Sequence, residues 1–291
     1  MIRSRPSAFG RVFTLLIYLF LYAPIFVLIV FSFNASNSRT VWSGFSLEWY
    51  EKLFEDSIIM SSLSTTLAVS VLSALLATVI GVAASIGFFS MKKRMRSSLM
   101  AVNSIPMMNA DIVTGVSLCL LFVAAGAGLS ALASWLNGIL GTNFKWDITL
   151  GFGTLLIAHI TFNVPYVILS IMPKLYQMDR HLIDAAKDLG CTTSQAIRKV
   201  VIPEIMPGII NGALMAFTMS IDDFVISYFT AGSTTQTLAM SIYSMTKKKV
   251  TPKVNAISTL LFLVVMLLLI VVNVRSARQE KKRPHKFPEG R

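Results

Sequence analysis

The sequence contains six long apolar runs in which charged residues are almost absent, and this feature restricts the chain to few folds. Each run is near or above the ~20 residues that an α-helix needs to cross the ~30 Å hydrocarbon core of a bilayer. The runs cover approximately residues 12–33, 61–90, 99–125, 150–173, 205–231 and 254–274. A soluble domain does not need repeated apolar segments of this length. The pattern therefore predicts an all-α integral membrane protein with six transmembrane helices.

Charged residues are scarce as well as unevenly placed. They make up 14% of the chain, compared with roughly 25% in soluble domains. The first apolar run follows Arg3, Arg5 and Arg11, as the core of a secretory signal peptide would. It extends to Phe33, which is too long for such a core, and no convincing small-residue cleavage site precedes Asn34. We therefore expect an uncleaved signal-anchor helix.

The placement of lysine and arginine predicts the topology. Most of the 26 basic residues lie in segments that are cytoplasmic if both termini are cytoplasmic, as the positive-inside rule requires. The chain then divides into a cytoplasmic tail at 1–11, a transmembrane domain at 12–274 and a disordered cytoplasmic tail at 275–291. The run Lys247–Lys249 is an exception, either a solvated outer loop or a contact for an extracytoplasmic partner. Topology and lipid headgroups thus explain the net charge of +12, and we expect no nucleic-acid partner.

Two outer segments are expected to be structured. Residues 42–54 mix aromatic and charged side chains, a composition typical of a short helix at the membrane interface. Residues 126–141 are apolar and glycine-flanked. They fit a short interfacial or re-entrant helix equally well as an extension of the third span.

The chain carries no residue constellation for catalysis. Cys119 lies in an apolar run and Cys191 in a charged loop, so neither a disulfide nor a metal site is expected. The three histidines share no metal-ligand spacing. No Gly-x-x-x-x-Gly-Lys-Ser/Thr phosphate loop is present, so any ATP hydrolysis belongs to another subunit. We expect a protein that is not an enzyme and has no cofactor of its own.

The loop at 174–204 is unusually long and has a helical pattern. Its apolar residues recur at helical spacing, at Ala185, Ala186 and Leu189 and then Ala196, Ile197, Val200 and Val201. Gly190 stands where a helix would end, and residues 192–194 offer N-caps for a second helix. Pro203 is expected to stop or redirect that second helix. The pattern predicts two short amphipathic helices joined at a glycine turn.

The same loop resembles the EAA loop of ABC importer permeases, which reads Glu-Ala-Ala, three residues, Gly, nine residues, then Ile-x-Leu-Pro. The matching residues, at the same spacing, are Ala185, Ala186, Gly190 and Pro203. Asp184 replaces the glutamate and keeps its charge on a shorter side chain, while Val200 and Ile202 replace the isoleucine and leucine. The resemblance implies a type I ABC importer permease fold. It also implies that Asp184 and the matching residues form a coupling helix that docks on an ATPase subunit.

Three acidic residues, Asp111, Asp222 and Asp223, lie inside the apolar runs. An acid at the centre of a membrane helix costs roughly 2.5–3.5 kcal/mol on insertion scales, so it normally faces the bundle interior or a water-filled path. If the fifth run is one continuous helix, Asp223 belongs to a stripe of small and polar residues. The stripe consists of Gly208, Gly212, Ala216, Ser220, Asp223 and Ser227. Asp223 is therefore the first candidate for lining a solute path, and Asp222 the second.

Further polar residues lie in the fourth and third runs. His159, Asn163 and Tyr166 form a polar stripe, and Asp111 lies near Pro106, where we expect the helix to break. Carboxylates, hydroxyls, amides and aromatic faces together can replace the hydration of an ammonium group, which favours a cation path. The alternative is structural, with the acids pairing with His159 or capping broken helices.

Four segments, together with the EAA-like loop, resemble the spermidine/putrescine permeases, and specifically their second permease subunit. The segments are residues 22–24 with 31–34, 42–50, 158–163 and 217–225. The resemblance implies a bacterial inner-membrane complex. In it this chain pairs with a second permease, a dimeric ATPase holds ATP and magnesium, and an extracytoplasmic binding protein delivers polyamine.

Two other functions remain open from the sequence. One is an importer of the same class for another small solute, such as an opine, an amino-acid derivative, a metal complex or an anion. The other is a secondary transporter or channel that acts alone. The EAA-like loop and the lack of an evident inverted repeat count against the second possibility.

Overall fold

The computed structural model describes residues 8–36, 41–140, 148–179, 181–248 and 252–281. Over these residues the chain is helical apart from its connections and one isolated antiparallel bridge between Asn34 and Phe45. Five helices are long and apolar enough to cross a membrane: Phe9–Phe31, Ser57–Ser90, Asp111–Ile139, Phe152–Gln177 and Thr193–Ile221. Pro252–Leu267 is a shorter apolar helix. The all-α membrane fold predicted from the sequence is confirmed.

The chain divides into two compact units. The first comprises Met1–Met60 and Ser241–Leu267, and the second Ser61–Met240 and Leu268–Arg291. Helices of the first unit are α1 (Ala8–Phe31), α2 (Glu48–Glu55), most of α11 (Leu238–Lys248) and the first part of α12 (Pro252–Lys281). Helices of the second unit are α3 (Ser57–Ser90, from Ser61), α4 (Lys93–Met108), α5 (Asp111–Leu140), α6 (Phe152–Gln177), α7 (His181–Asp188), α8 (Thr193–Ala196), α9 (Ile202–Ile221) and α10 (Val225–Thr230).

In the first unit, a buried asparagine organises the turn after α1. The Asn34 side chain donates to the Val41 carbonyl at 2.9 Å and accepts from the Ser43 N–H at 3.0 Å. Its own carbonyl accepts from the Trp49 indole N–H at 2.8 Å. These bonds hold α2 against the end of α1, with Trp49 and Leu53 buried. The short helix predicted within 42–54 is thus present, and its position at a membrane interface stays a prediction.

In the second unit, the main core forms where α6 and α9 pack together along their length. Its most enclosed side chains are Ala77, Val167, Ile171, Leu175 and Ile205. Glycines allow the close approach of these helices. A Cβ on Gly208 would lie 2.9 Å from the Ser170 carbonyl oxygen, and one on Gly212 would lie 3.1 Å from Val167 Cα. Packing of small residues against backbone replaces the hydrophobic driving force that is missing between helices in lipid.

The third span differs from the one predicted at 99–125. Its first part belongs to α4, which ends at Met108, and the membrane-crossing helix is α5, which begins at Asp111. The expected break near Pro106 is confirmed, at Asn109–Ala110. Of the alternatives for 126–141, the structure shows an extension of the third span as far as Leu140. Residues 141–147 lie outside the described residues.

The C-terminal helix also differs from its prediction. The sixth span was expected to end at 274, followed by a disordered tail, but α12 continues to Lys281. The charged residues after Val274 are compatible with helix because Arg, Glu, Gln and Lys are good helix formers. Residues 282–291 and the N-terminal residues 1–7 lie outside the described part of the chain, as does Lys249 of the basic run.

We predict that Gly208→Ala destabilises the protein by about 1–3 kcal/mol, the usual cost of overpacking a close contact. The added methyl group would press on backbone atoms of α6, which cannot move cheaply. Gly87→Ala in α3 is the matched control, because no atom lies within 4 Å of its Cβ position. Thermal unfolding of the purified transporter should show a lower midpoint for Gly208→Ala only. Equal midpoints for the two variants would contradict the close contact.

The second prediction concerns the ion pair between Asp56 and Lys253, just before the start of α3. The Lys253 ammonium donates to the Asp56 carboxylate at 2.5 Å and holds the pKa of Asp56 below its usual value. A lowered folded pKa contributes stability that is present above the unfolded value of about 3.9 and is lost as the pH falls through the folded value. Asp56→Asn should therefore lower stability by about 0.5–1 kcal/mol, equally at pH 6 and pH 8. A difference that disappears between pH 5 and pH 7 in unfolding experiments would contradict this ion pair.

Candidate functional site

The 174–204 loop forms the first short helix, α7, and the glycine turn that its pattern predicts, but the second helix, α8, is the first turn of a much longer one. Helix α7 ends at a glycine turn, in which Gly190 adopts a φ of +84°. The Cys191 N–H donates to the Ala186 carbonyl at 3.0 Å, and the Gly190 N–H to the Lys187 carbonyl at 2.8 Å. This is the Schellman arrangement, which places a left-handed residue just past the helix end. Glycine is required there because a Cβ in the left-handed region costs roughly 1–2 kcal/mol.

Helix α8 begins at a capping box. Thr192 Oγ1 accepts from the Gln195 N–H at 3.3 Å, and the Gln195 side chain accepts from the Thr192 N–H at 3.0 Å. The expected N-cap is thus confirmed and assigned to Thr192.

The prediction that Pro203 stops this second helix is wrong, because the helix runs without interruption from Thr193 to Ile221. A wide π turn at Ile197–Val201 explains the continuity. There the Ile202 N–H donates to the Ile197 carbonyl, five residues earlier. Pro203 follows directly, so its missing N–H falls where the hydrogen-bond spacing changes back to the α-helical one.

The residues of the EAA-like motif divide into two groups by exposure. Ala186 is buried against the rest of the loop, whereas Asp184, Ala185 and Gly190 are exposed. Leu189 is 87% exposed, which is unusual for a leucine flanked by ordered helix and turn. In the sequence, Leu189 contributes to the helical pattern of apolar residues and was given no other role. Its position directly before the glycine was the signal that it lies at the tip of the loop.

The predicted fifth span is interrupted at its acidic residues. Helix α9 ends at Ile221 and α10 begins at Val225, so Asp222, Asp223 and Phe224 form a non-helical segment that we call the acidic break. The expectation that Asp223 continues a stripe of one helix is therefore wrong. The backbone leaves the helix at Asp222, whose φ and ψ are −103° and 0°.

Asp223 caps the helix that follows the acidic break. Its carboxylate accepts from the Ser227 N–H at 2.8 Å, from Ser227 Oγ at 2.9 Å and from the Ile226 N–H at 3.3 Å. These bonds satisfy backbone donors that a helix start leaves without partners. A carboxylate is the favoured group there because helix N-termini carry partial positive charge.

Two side chains of α6 contact the segments on either side of the acidic break. His159 Nε2 lies 3.1 Å from Ser227 Oγ and 3.6 Å from the Asp223 carboxylate. Asn163 Nδ2 donates to Ser220 Oγ at 2.7 Å and lies 3.4 Å from Ser73 Oγ. The Ser73 and Ser220 hydroxyls are themselves 3.0 Å apart. All of these side chains but Asp223, at 10% exposure, are exposed by less than 5%.

The contribution of Ser73 was missed by the sequence argument. Ser73 belongs to a buried hydroxyl stripe on α3 that includes Ser62, Thr66 and Ser70. Its residues recur at steps of four, four and three, the spacing of one helix face. This spacing, in a run with few other polar residues, could have indicated from the sequence that Ser73 lies on a buried polar face.

Asp222 and Asp111 differ from Asp223 in being exposed. Neither forms an ion pair with any residue that the structure describes. Asp111 begins α5, whose Gly115 lies against the first turn of α10, with Ile226 Cα 3.5 Å from its Cβ position. The half-buried Tyr166 of α6 lies near enough to Asp111 for the carboxylate to act electrostatically on the neutral tyrosine hydroxyl. Asp111 therefore stands at the start of α5 and Asp222 at the end of α9, and α5 packs against α10, which follows the acidic break.

The sequence matches one family over most of its length. Residues 77–283 match the family described as binding-protein-dependent transport system inner membrane component. The chain belongs to this family. It is therefore a multi-pass membrane permease subunit of a transport system and not an enzyme.

Relatives of this permease align with nearly all of the chain, as two examples show. The spermidine/putrescine transport system permease protein PotC of Haemophilus influenzae is 34% identical over 259 residues, which is 89% of this chain and 93% of that protein. The putrescine transport system permease protein PotI of Escherichia coli K12 is 35% identical over 278 residues, covering 95% and 94%.

The fold is also that of a solved transporter. It matches a chain in the crystal structure of a bacterial ABC transporter that imports the acidic polysaccharide alginate, with a TM-score of 0.70 and 14% identity. The match covers 93% of this permease and 94% of that chain. At this identity the likeness shows the fold, which is that of an ABC importer permease.

Proposed function

We propose that this permease carries spermidine and putrescine across the inner membrane in an ATP-driven importer. Two relatives that are named for these solutes align with about nine-tenths or more of both chains, and this supports a polyamine as the solute. The observation that carries the proposal is the pair of exposed carboxylates, Asp111 and Asp222. They stand at helix breaks and have no ion-pair partner among the described residues.

The chemistry of a polyamine fits these two residues. A polyamine carries several ammonium groups, each with one positive charge, and these bind carboxylates through charge-assisted hydrogen bonds. A charged carboxylate inside a membrane protein costs free energy unless it forms an ion pair or lines a water-filled path. The ammonium group of an arriving polyamine can form that ion pair. Tyr166 adds an aromatic face and a hydroxyl beside Asp111. A direct contact of a solute with Asp223, His159 or Asn163 stays a prediction.

The proposed importer contains further subunits. A second permease forms a heterodimer with this chain, and an extracytoplasmic binding protein delivers the polyamine. A dimeric ATPase binds ATP and magnesium and contacts the 174–204 loop through the exposed Asp184, Ala185 and Gly190 at its tip. In this arrangement both termini are cytoplasmic, as the distribution of basic residues predicts.

We predict that Asp111→Asn and Asp222→Asn each raise the KM for spermidine uptake about tenfold or more. Loss of one charge-assisted hydrogen bond of about 1.5–3 kcal/mol corresponds to this change. Uptake by cells or proteoliposomes that hold the complete transporter measures it. Glu48→Gln is the control, because Glu48 is an exposed carboxylate of α2 that pairs with Lys52.

The same uptake experiment separates polyamine from the alternative solutes. Excess spermidine and putrescine should compete with labelled spermidine at low concentration. If they do not, or if both aspartate variants keep the normal KM, the transporter carries another small solute and the polyamine assignment fails.

We predict that Gly190→Val uncouples ATP hydrolysis from uptake, whereas Gly190→Asn retains coupling. Valine is strained at a φ of +84°, while asparagine tolerates the left-handed region. No neighbouring atom lies within 4 Å of the Cβ position, so the backbone conformation alone is changed. The ratio of spermidine imported to ATP hydrolysed, in complexes shown to be assembled by co-purification, is the measurement. A normal ratio for Gly190→Val would exclude a coupling role for this turn.

A further inference from the structure

Two residues of α6, one helical turn apart, hold both sides of the acidic break. Asn163 bonds to Ser220, one residue before the end of α9, and His159 bonds to Ser227 in the first turn of α10. A third residue of α6, Thr154, contacts the same part of the chain, because its hydroxyl donates to the Thr230 carbonyl at 2.8 Å. The break is therefore fixed from α6 on each side.

The side-chain N–H donors of both residues are already used in this network. Ser227 Oγ donates to the Asp223 carboxylate, so it accepts from His159 Nε2, which carries the proton. Asn163 directs its amide nitrogen to two hydroxyls. Its Oδ1 atom has no hydrogen-bond partner among the described residues and is fully enclosed by protein. A solute does not reach either side chain in this conformation, in which they are exposed by 2% and 0%.

Helix α6 also connects the acidic break with the 174–204 loop. It ends at Gln177, four residues before α7 begins, and α9 leaves the same loop on its other side. Gly208 and Gly212 let α9 approach Ser170 and Val167 of α6 closely, so the two helices form one tightly packed pair. One end of this pair is the loop, and the other end is the acidic break.

We infer that His159 and Asn163 are positioning residues that transmit movement of the 174–204 loop to Asp222. They do so by fixing the acidic break to α6, and they do not themselves bind the solute. The inference rests on the proposed coupling role of the loop and not on the identity of the solute. It assigns Asp223 to the same device, because its carboxylate joins His159 and Ser227 to the start of α10.

The experiment measures how the environment of residue 222 responds to nucleotide. Asp222→Cys is introduced with Cys119→Ser and Cys191→Ser into this chain, and the complete transporter is assembled with partner subunits in which every cysteine has been replaced by serine. The rate of labelling by a cationic methanethiosulfonate reagent is compared between the nucleotide-free and the ATP–vanadate-trapped states. We expect the rate to change at least severalfold between these states.

Variants of the two α6 residues then test transmission. His159→Leu and Asn163→Leu should reduce the nucleotide-dependent change in labelling to less than twofold, whereas His159→Gln, which keeps a donor, should retain it. Thr161→Val is the matched control, since Thr161 is exposed on α6 and bonds only to its own helix at Ile157. A residue that merely stabilised the fold would lower the yield and leave the labelling response intact in the assembled fraction.

The reciprocal variants keep the test decisive if a leucine variant does not assemble. Ser220→Ala and Ser227→Ala remove the same bonds from the other side, and they should also suppress the response. Preservation of the response in the leucine and alanine variants would overturn the inference, as would its loss in Thr161→Val. Failure of spermidine to compete for uptake would reject the polyamine proposal and leave this result unaffected, because the labelling experiment contains no solute.

Discussion

Every backbone N–H and C=O within the hydrocarbon core needs a partner in the protein, and the rest of this structure depends on that constraint. A group left without a partner in lipid costs several kcal/mol, so an interrupted membrane helix requires an internal replacement for its lost bonds. At the acidic break the replacement is the Asp223 carboxylate, which accepts from two backbone N–H groups and one hydroxyl of α10. The acidic break is tolerated because the Asp223 carboxylate accepts hydrogen bonds from backbone N–H groups that have no partner within the helix.

The same reasoning explains why the polar residues of the second unit occur together. A capping carboxylate carries a charge that must itself be stabilised, and His159 and Ser227 lie within 3.6 Å of it. Asn163, Ser73 and Ser220 then join three helices next to the break through hydroxyl and amide bonds. Hydrogen bonds of this kind between membrane helices average about 0.6 kcal/mol, so the network fixes geometry more than it stabilises the fold.

Much of this architecture could be predicted from the sequence, because hydrophobic run length and charge placement are strong local signals. The membrane helices and the glycine turn at Gly190 follow from them directly. The interruption at Asp222 could not, since a run that is continuous in hydropathy does not show whether an acid in it lies on a helix or ends one. The prediction for Pro203 was wrong in the opposite sense. Proline normally stops a helix, but here it directly follows a π turn and the helix continues. The capping bonds of Asp223 are local, and the sequence left such a cap open as an alternative, but the bonds from His159 and Asn163 that hold the break come from residues distant in the chain. The outcome at Pro203 depends on backbone register, which a local pattern does not show.

Two neighbouring aspartates have different surroundings because helix α9 ends just before them and the backbone leaves the helical path. Asp223 points into the protein and its oxygens are occupied by α10, whereas Asp222 is exposed and forms no ion pair with the described residues. On a continuous helix both would have been equivalent candidates separated only by a rotation about the axis. Because the helix is interrupted, the two carboxylates differ in their contacts. Asp223 caps α10, whereas Asp222 stays exposed and is the one that we propose to meet a cation. The bonds of Asp223 and of α6 tie the exposed Asp222 to the helices that lead to the 174–204 loop, so in the proposed importer a movement of the loop changes the surroundings of Asp222.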